Sequence, residues 1–140
     1  MMNSTKIDLC IASDKSMMLI VRMTTTGVMS RAGLTLDEMD DMKMAVDEAC
    51  NLMILQKPCY EKLEMHYEYS SEAVSVLIQG EGVLAEGDKT DHAIMLEVME
   101  CILESMVDEV TLIPREDGGT KGIFLKKNIP QERRRLRHDG

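Results

Sequence analysis

Apolar and polar residues alternate in "TKIDLCIAS" near the start of the chain, with Ile7, Leu9 and Ile11 set against Lys6, Asp8 and Cys10. A period of two predicts a strand with one face buried. The period then changes: Met17, Ile20, Val21, Thr24 and Val28 recur at helical spacing behind Ser13 or Asp14 as a cap, and Ala32-Gly33 ends the helix. "TLDE" reads as a capping box in which Thr35 caps and Glu38 reaches back from three positions later. A long helix follows to about Gln56, and Pro58 closes it. Alternation returns in "KLEMHYEYS" (Leu63, Met65, Tyr67, Tyr69) and "AVSVLIQG" (Val74, Val76, Ile78), an antiparallel hairpin turning near 70–72. "GEGVLAEGDKTD" is Gly-rich and polar, hence a loop. Thr90 or Asp91 then caps a third helix with Ile94, Val98, Cys101 and Ile102 on its stripe. "DEVTLIPRE" and "KGIFLKKN" form a closing hairpin across "DGG".

The order β-α-α-β-β-α-β-β predicts an α/β (α+β) two-layer sandwich, a mixed and mostly antiparallel sheet with helices on one face. Residues 1–128 read as one domain and 129–140 as a basic, solvated tail. At 140 residues the chain is long enough to bury a real core. Aromatics are scarce (one Phe, three Tyr, no Trp) and fourteen Met replace them, as core filler or, alternatively, as a partner surface.

Charge narrows the classes of partner. Residues 1–125 hold 10 Lys/Arg against 23 Asp/Glu, and residues 126–140 hold 6 against 2. An acidic body argues against nucleic acid as a direct partner. It suits a basic protein partner, and serves solubility equally well. The four cysteines form no CxxC, and the three histidines are not at ligand spacing, which argues against a zinc site. No leader-like start and no membrane-length apolar run occur, so a reducing cytoplasm with free thiols is expected.

The long helix contains one oddly placed carboxylate. On a helical wheel Met39, Met42, Val46, Ala49, Cys50 and Met53 form the stripe toward the sheet. Met44, Leu52 and Leu55 fall nearly opposite with Glu48 in their midst, and Asp40, Asp47 and Asn51 form a polar edge. A carboxylate covered by a pocket would have a raised pKa suited to a general base. At the rim of the face it would simply stay wet.

"LTLDEMDDMKMAVDEACN" resembles the N-box region of the anti-sigma-factor serine/threonine kinases of the RsbW type, members of the GHKL, or histidine-kinase-like, ATPase superfamily. The resemblance spans about residues 5–128. "KIDLCIASDKSMMLIVRMTTTGVMSRAG" resembles the family's first strand and helix. "LEVMECILESMVDEVTL" resembles the helix and strand after its nucleotide lid, and "DGGTKGIFLKK" its closing Gly-Gly-Thr strand. The family pattern E-A-x-x-N implies a general-base Glu and an Asn that holds Mg²⁺, two positions sharing one helix face. Glu48 takes the Glu position. Leu52 stands where the Asn belongs, and Asn51 lies one residue early, at i+3, while Asp47 and Asn51 keep the i, i+4 spacing. The family's D-x-G-x-G implies an Asp accepting from the adenine amino group and glycines beside the nucleotide. Gly80 and Gly82 match, but Ile78 replaces the Asp. The Gly-rich phosphate segment of the lid has no counterpart in "DKTDHAIMLEVMEC". There Lys89 and the helix start near 90–92 are the candidates for attracting phosphate, although any capped helix start offers as much. Arg22 matches an Arg near the family's dimer and sigma-factor contact surface. It is also readable as a solvated helix charge.

Two functions follow from the resemblance. One is an anti-sigma-like regulatory module that binds a sigma factor or an anti-anti-sigma protein without using ATP. The other is an active Mg-ATP-dependent serine kinase with Glu48 catalytic, Asn51 on Mg²⁺, and Gly80 and Gly82 flanking the nucleotide. The departures at Leu52, Ile78 and the lid favour the first, and a homodimer is implied for both.

Overall fold

The computed structural model describes residues 3–84 and 93–133. Five strands and three helices follow in the expected order: β1 (Thr5–Ala12), α1 (Met18–Ala32), α2 (Leu36–Leu55), β2 (Tyr60–Tyr69), β3 (Ala73–Val83), α3 (Ala93–Glu104), β4 (Glu109–Pro114) and β5 (Thr120–Asn128). They build one sheet in the order β1-β2-β3-β5-β4, and all four pairings are antiparallel. Leu9, Met65, Ile78, Ile123 and Leu112 lie in one cross-strand row on the face that carries the helices. Asp8, His66, Leu77, Phe124 and Thr111 form the neighbouring row on the opposite, exposed or half-buried face. The two-layer sandwich therefore has its core between sheet and helices. α2 lies over β2, β3 and β5, with α1 toward β2 and α3 toward β4.

Local chemistry explains the helix ends. The Asp14 carboxylate accepts from the Ser16 N–H and caps a short 3-10 turn that leads into α1. Gly33 ends α1 at φ 83, a conformation that costs glycine nothing. The Thr35–Glu38 capping box is formed in both directions, at 2.8 and 3.3 Å. Thr35→Ala is expected to remove about 1 kcal/mol of stability, a fall in Tm of roughly 4 °C by calorimetry.

Three sequence expectations need correction. α1 turns Met18, Val21, Thr25, Val28, Met29 and Ala32 inward, and Ile20 is exposed. The polar Thr25 is tolerated there because its hydroxyl bonds the Val21 carbonyl and the Tyr67 hydroxyl, each at 2.8 Å. α3 packs through Leu103, with Leu96 and Met99 partly buried, and leaves Val98, Cys101 and Ile102 outward; Ile94's side chain lies outside the described residues. That helix is apolar on both sides, so periodicity alone could not choose its face. The supposed tail begins inside the packed body. Ile129 is fully buried, and Arg133 makes a bidentate bridge to Glu38 at 2.6 Å on each arm.

Candidate functional site

The central part of α2 carries the N-box positions. Met42, Ala45, Val46, Ala49, Cys50 and Met53 are buried against the sheet. Leu52 joins them at 4% exposure, whereas Met44 and Leu55, expected to share its side, are more than half exposed. Glu48 is half-buried and makes no hydrogen bond or ion pair among the described residues. Asn51 is half-buried too. Asp47 turns to the α1 side, where both its oxygens accept from Arg22 Nε at 3.1–3.2 Å. That pair is a partly solvated bridge, worth little in stability, and it commits the Asp47 carboxylate within the chain. Cys50 sits beneath this edge. Burial, and then the Asp47 charge, push its thiol up to about 12, so it stays protonated and unreactive.

The two glycines lie at the end of the sheet near the C-terminus of α2. Strand β3 does not stop at Gly80 as the Gly-rich composition led us to expect. It runs on to Val83, paired only with β2, because the pairing of β3 with β5 ends at Gln79 and Gly122. Where the strands part, a cleft of about 500 Å³ opens, lined by Tyr60, Gly80, Gly82, Arg115 and Lys121 among others. Glu48, Asn51 and Leu52 do not line it. Lys89 lies outside the described residues, as do Thr90, Asp91 and His92.

Four residues at this end were not foreseen. Gln56, at the end of α2 and 1% exposed, pairs its carboxamide with the backbone of Thr120. Nε2 donates to the Thr120 carbonyl at 2.7 Å, and Oε1 accepts from the Thr120 N–H at 2.8 Å. The Tyr60 hydroxyl donates to the same carbonyl at 3.0 Å. Arg115 lies over the Tyr60 ring, and its Nε donates to Asp117 at 2.7 Å. Burial works against the Arg115 charge, but the Asp117 bond and Tyr60 outweigh it and raise the pKa. Thr120 follows the Gly-Gly pair of the last hairpin, and its place in that motif was the one available hint. The partners of Gln56 and Tyr60 are about sixty residues away, beyond the reach of any local pattern.

These positions do not fit an adenine nucleotide with Mg²⁺. Ile78 has no exposed surface, lies between Met65 and Ile123, and offers no acceptor. Leu52 is buried and offers no metal ligand. Gly80 has the Tyr60 ring against it.

The order of elements, the all-helices-on-one-face sandwich and the capped N-box helix define a protein of the histidine-kinase-like ATPase topology. Comparison by sequence carries this one step further. The chain is 28% identical to the serine-protein kinase RsbW of Staphylococcus aureus (strain MSSA476) over 140 aligned positions, covering 86% of this chain and 84% of the relative. The RsbW proteins of strains MW2 and JH9 match to the same extent. No protein-family model matches the chain. The similarity spans most of both chains, so over nearly its whole length the chain is similar to the RsbW serine-protein kinases. No helix among the described residues is long and apolar enough to cross a membrane.

Proposed function

We propose that the protein is an anti-sigma-type regulatory module that holds a protein partner, a sigma factor or an anti-anti-sigma protein, and does so without ATP. The observation that carries this reading is Ile78. The position that should accept from adenine is a core residue with no exposed surface, packed between two other apolar residues of the sheet. A nucleotide amino group placed there would lose a hydrogen bond to water and gain none, a cost of about 1–3 kcal/mol. Leu52 supports the same reading from the metal side. A partner face is available on α1, where Leu19 and Met23 are exposed one turn apart and Arg22 lies three positions from Leu19. The same face would serve a homodimer, and the acidic body suits a basic partner.

A second reading, an active Mg-ATP-dependent serine kinase, is favoured by Glu48. Its carboxylate stands half-buried with no partner among the described residues, as a general base would before substrate arrives. Thermal unfolding with Mg-ATP and Mg-ADP separates the two. The regulatory reading expects no change in Tm at millimolar nucleotide. Binding at about 100 times Kd would stabilise by roughly 2.7 kcal/mol, and the resulting rise of several degrees would restore the kinase.

A further inference from the structure

At the mouth of the cleft the chain lays one of its own rings against the first glycine of the Gly-x-Gly segment. A Cβ on Gly80 would overlap Cγ, Cδ2 and Cε2 of Tyr60, so ring and backbone touch in a way only glycine permits. The tyrosine is 3% exposed. Its hydroxyl is anchored on the Thr120 carbonyl at 3.0 Å, and that carbonyl is fixed from the other side by the Gln56 carboxamide. The Arg115 guanidinium lies over the ring, with Cζ 5.0 Å from the centroid. Arg115 is itself held by Asp117 and by the Pro58 carbonyl at 3.1 Å. Close backbone approach, one polar anchor at the tip and a cation over the π-face are what a protein uses to hold a planar aromatic ligand. Here the ligand is part of the chain.

We propose that Tyr60 is an intramolecular ligand. Its side chain fills a ring-binding slot made by Gly80, Thr120 and Arg115, and thereby keeps free planar aromatic molecules out. The inference deepens the nucleotide-free reading and rests on it, by naming what occupies the place beside Gly80. A tethered ring has a high effective concentration, so a free aromatic of equal intrinsic affinity cannot displace it. The slot becomes available only when the ring is removed.

The test uses the full chain and thermal unfolding. Tyr60→Ala is titrated with p-cresol, which is the tyrosine side chain detached, with cyclohexanol as a control of similar size that lacks the π-face. The variant should melt several degrees below the wild type. Millimolar p-cresol should recover part of that loss, cyclohexanol should recover less, and the wild type should gain nothing from either. A second measurement stands if Tyr60→Ala does not fold. Gly80→Ala is compared in the wild-type and Tyr60→Leu backgrounds. A leucine side chain, free of the Thr120 anchor, can turn away from the added methyl where the anchored ring cannot, so the effect on Tm should be roughly twofold smaller or less. Equal effects of Gly80→Ala in both backgrounds, or p-cresol acting alike on wild type and Tyr60→Ala, would overturn the proposal. Mg-ATP on the wild type reports only on the nucleotide-free reading, so failure of one idea is distinguishable from failure of the other.

Discussion

Ile78→Asp is expected to lower Tm by more than about 10 °C at neutral pH, and Ile78→Val by only a few degrees. The first change places a carboxylate where the side chain has no exposed surface and where Met65 and Ile123 flank it in the sheet. An uncompensated buried charge costs several kcal/mol, a large share of the roughly 5–15 kcal/mol that holds a domain together. The sign of the pH dependence follows. Burial raises the new carboxyl's folded-state pKa above its unfolded value of about 4, so the loss is smallest below that value and grows as pH rises. The measurement is a set of melting curves from acid to neutral pH. If Ile78→Asp were as stable at neutral pH as the wild type, water would have to reach this position, and a polar nucleotide pocket would have to be reconsidered.

The second large effect is expected at Gln56. Gln56→Leu keeps the side chain's bulk but removes both bonds to Thr120. The Thr120 carbonyl still has the Tyr60 hydroxyl, but its N–H is left buried with nothing to bond. Two lost bonds and one orphaned donor amount to about 2–4 kcal/mol, or roughly 10 °C in Tm. Gln56→Glu is a useful companion. It keeps the acceptor for the Thr120 N–H but turns a carboxylate toward the Thr120 carbonyl, so it should be at least as costly at neutral pH. Denaturant unfolding reads both. An unchanged midpoint for Gln56→Leu would show that the last hairpin is held by something other than this pairing.

How much of this could be read from the chain depended on the distance over which each signal acts. The Thr35–Glu38 box, the alternation of Leu63, Met65 and Tyr67, and the turn of the last hairpin are local, and all appear where the pattern put them. The inward face of α3 was not legible, because Val98 and Ile102 recur at helical spacing as well as Met99 and Leu103 do. Only packing against β4 and α2 decides between them. Gly80 and Gly82 looked like loop residues because composition registers flexibility and cannot register the β2 edge that pairs with Gly80, Glu81 and Val83. Glu48, Leu52 and Ile78 were picked out by resemblance to a family pattern, and the fold explains their different fates. Ile78 and Leu52 face the core, and Glu48 lies at its margin. Tyr60, Gln56 and Arg115 carried no sequence signal at all, since their significance arises only when strands distant in the chain are brought side by side.

The position of β5 has a consequence for how the molecule is made. The last strand among the described residues is threaded between β3 and β4 in the interior of the sheet. Until residues 120–128 have left the ribosome, Ile78 lacks its cross-strand neighbour Ile123, and β3 presents a naked hydrogen-bonding edge. Synthesis therefore delivers the keystone after everything it must join. A nascent chain halted before Thr120 is a sticky half-sheet, and such truncated products should partition to chaperones or inclusion bodies.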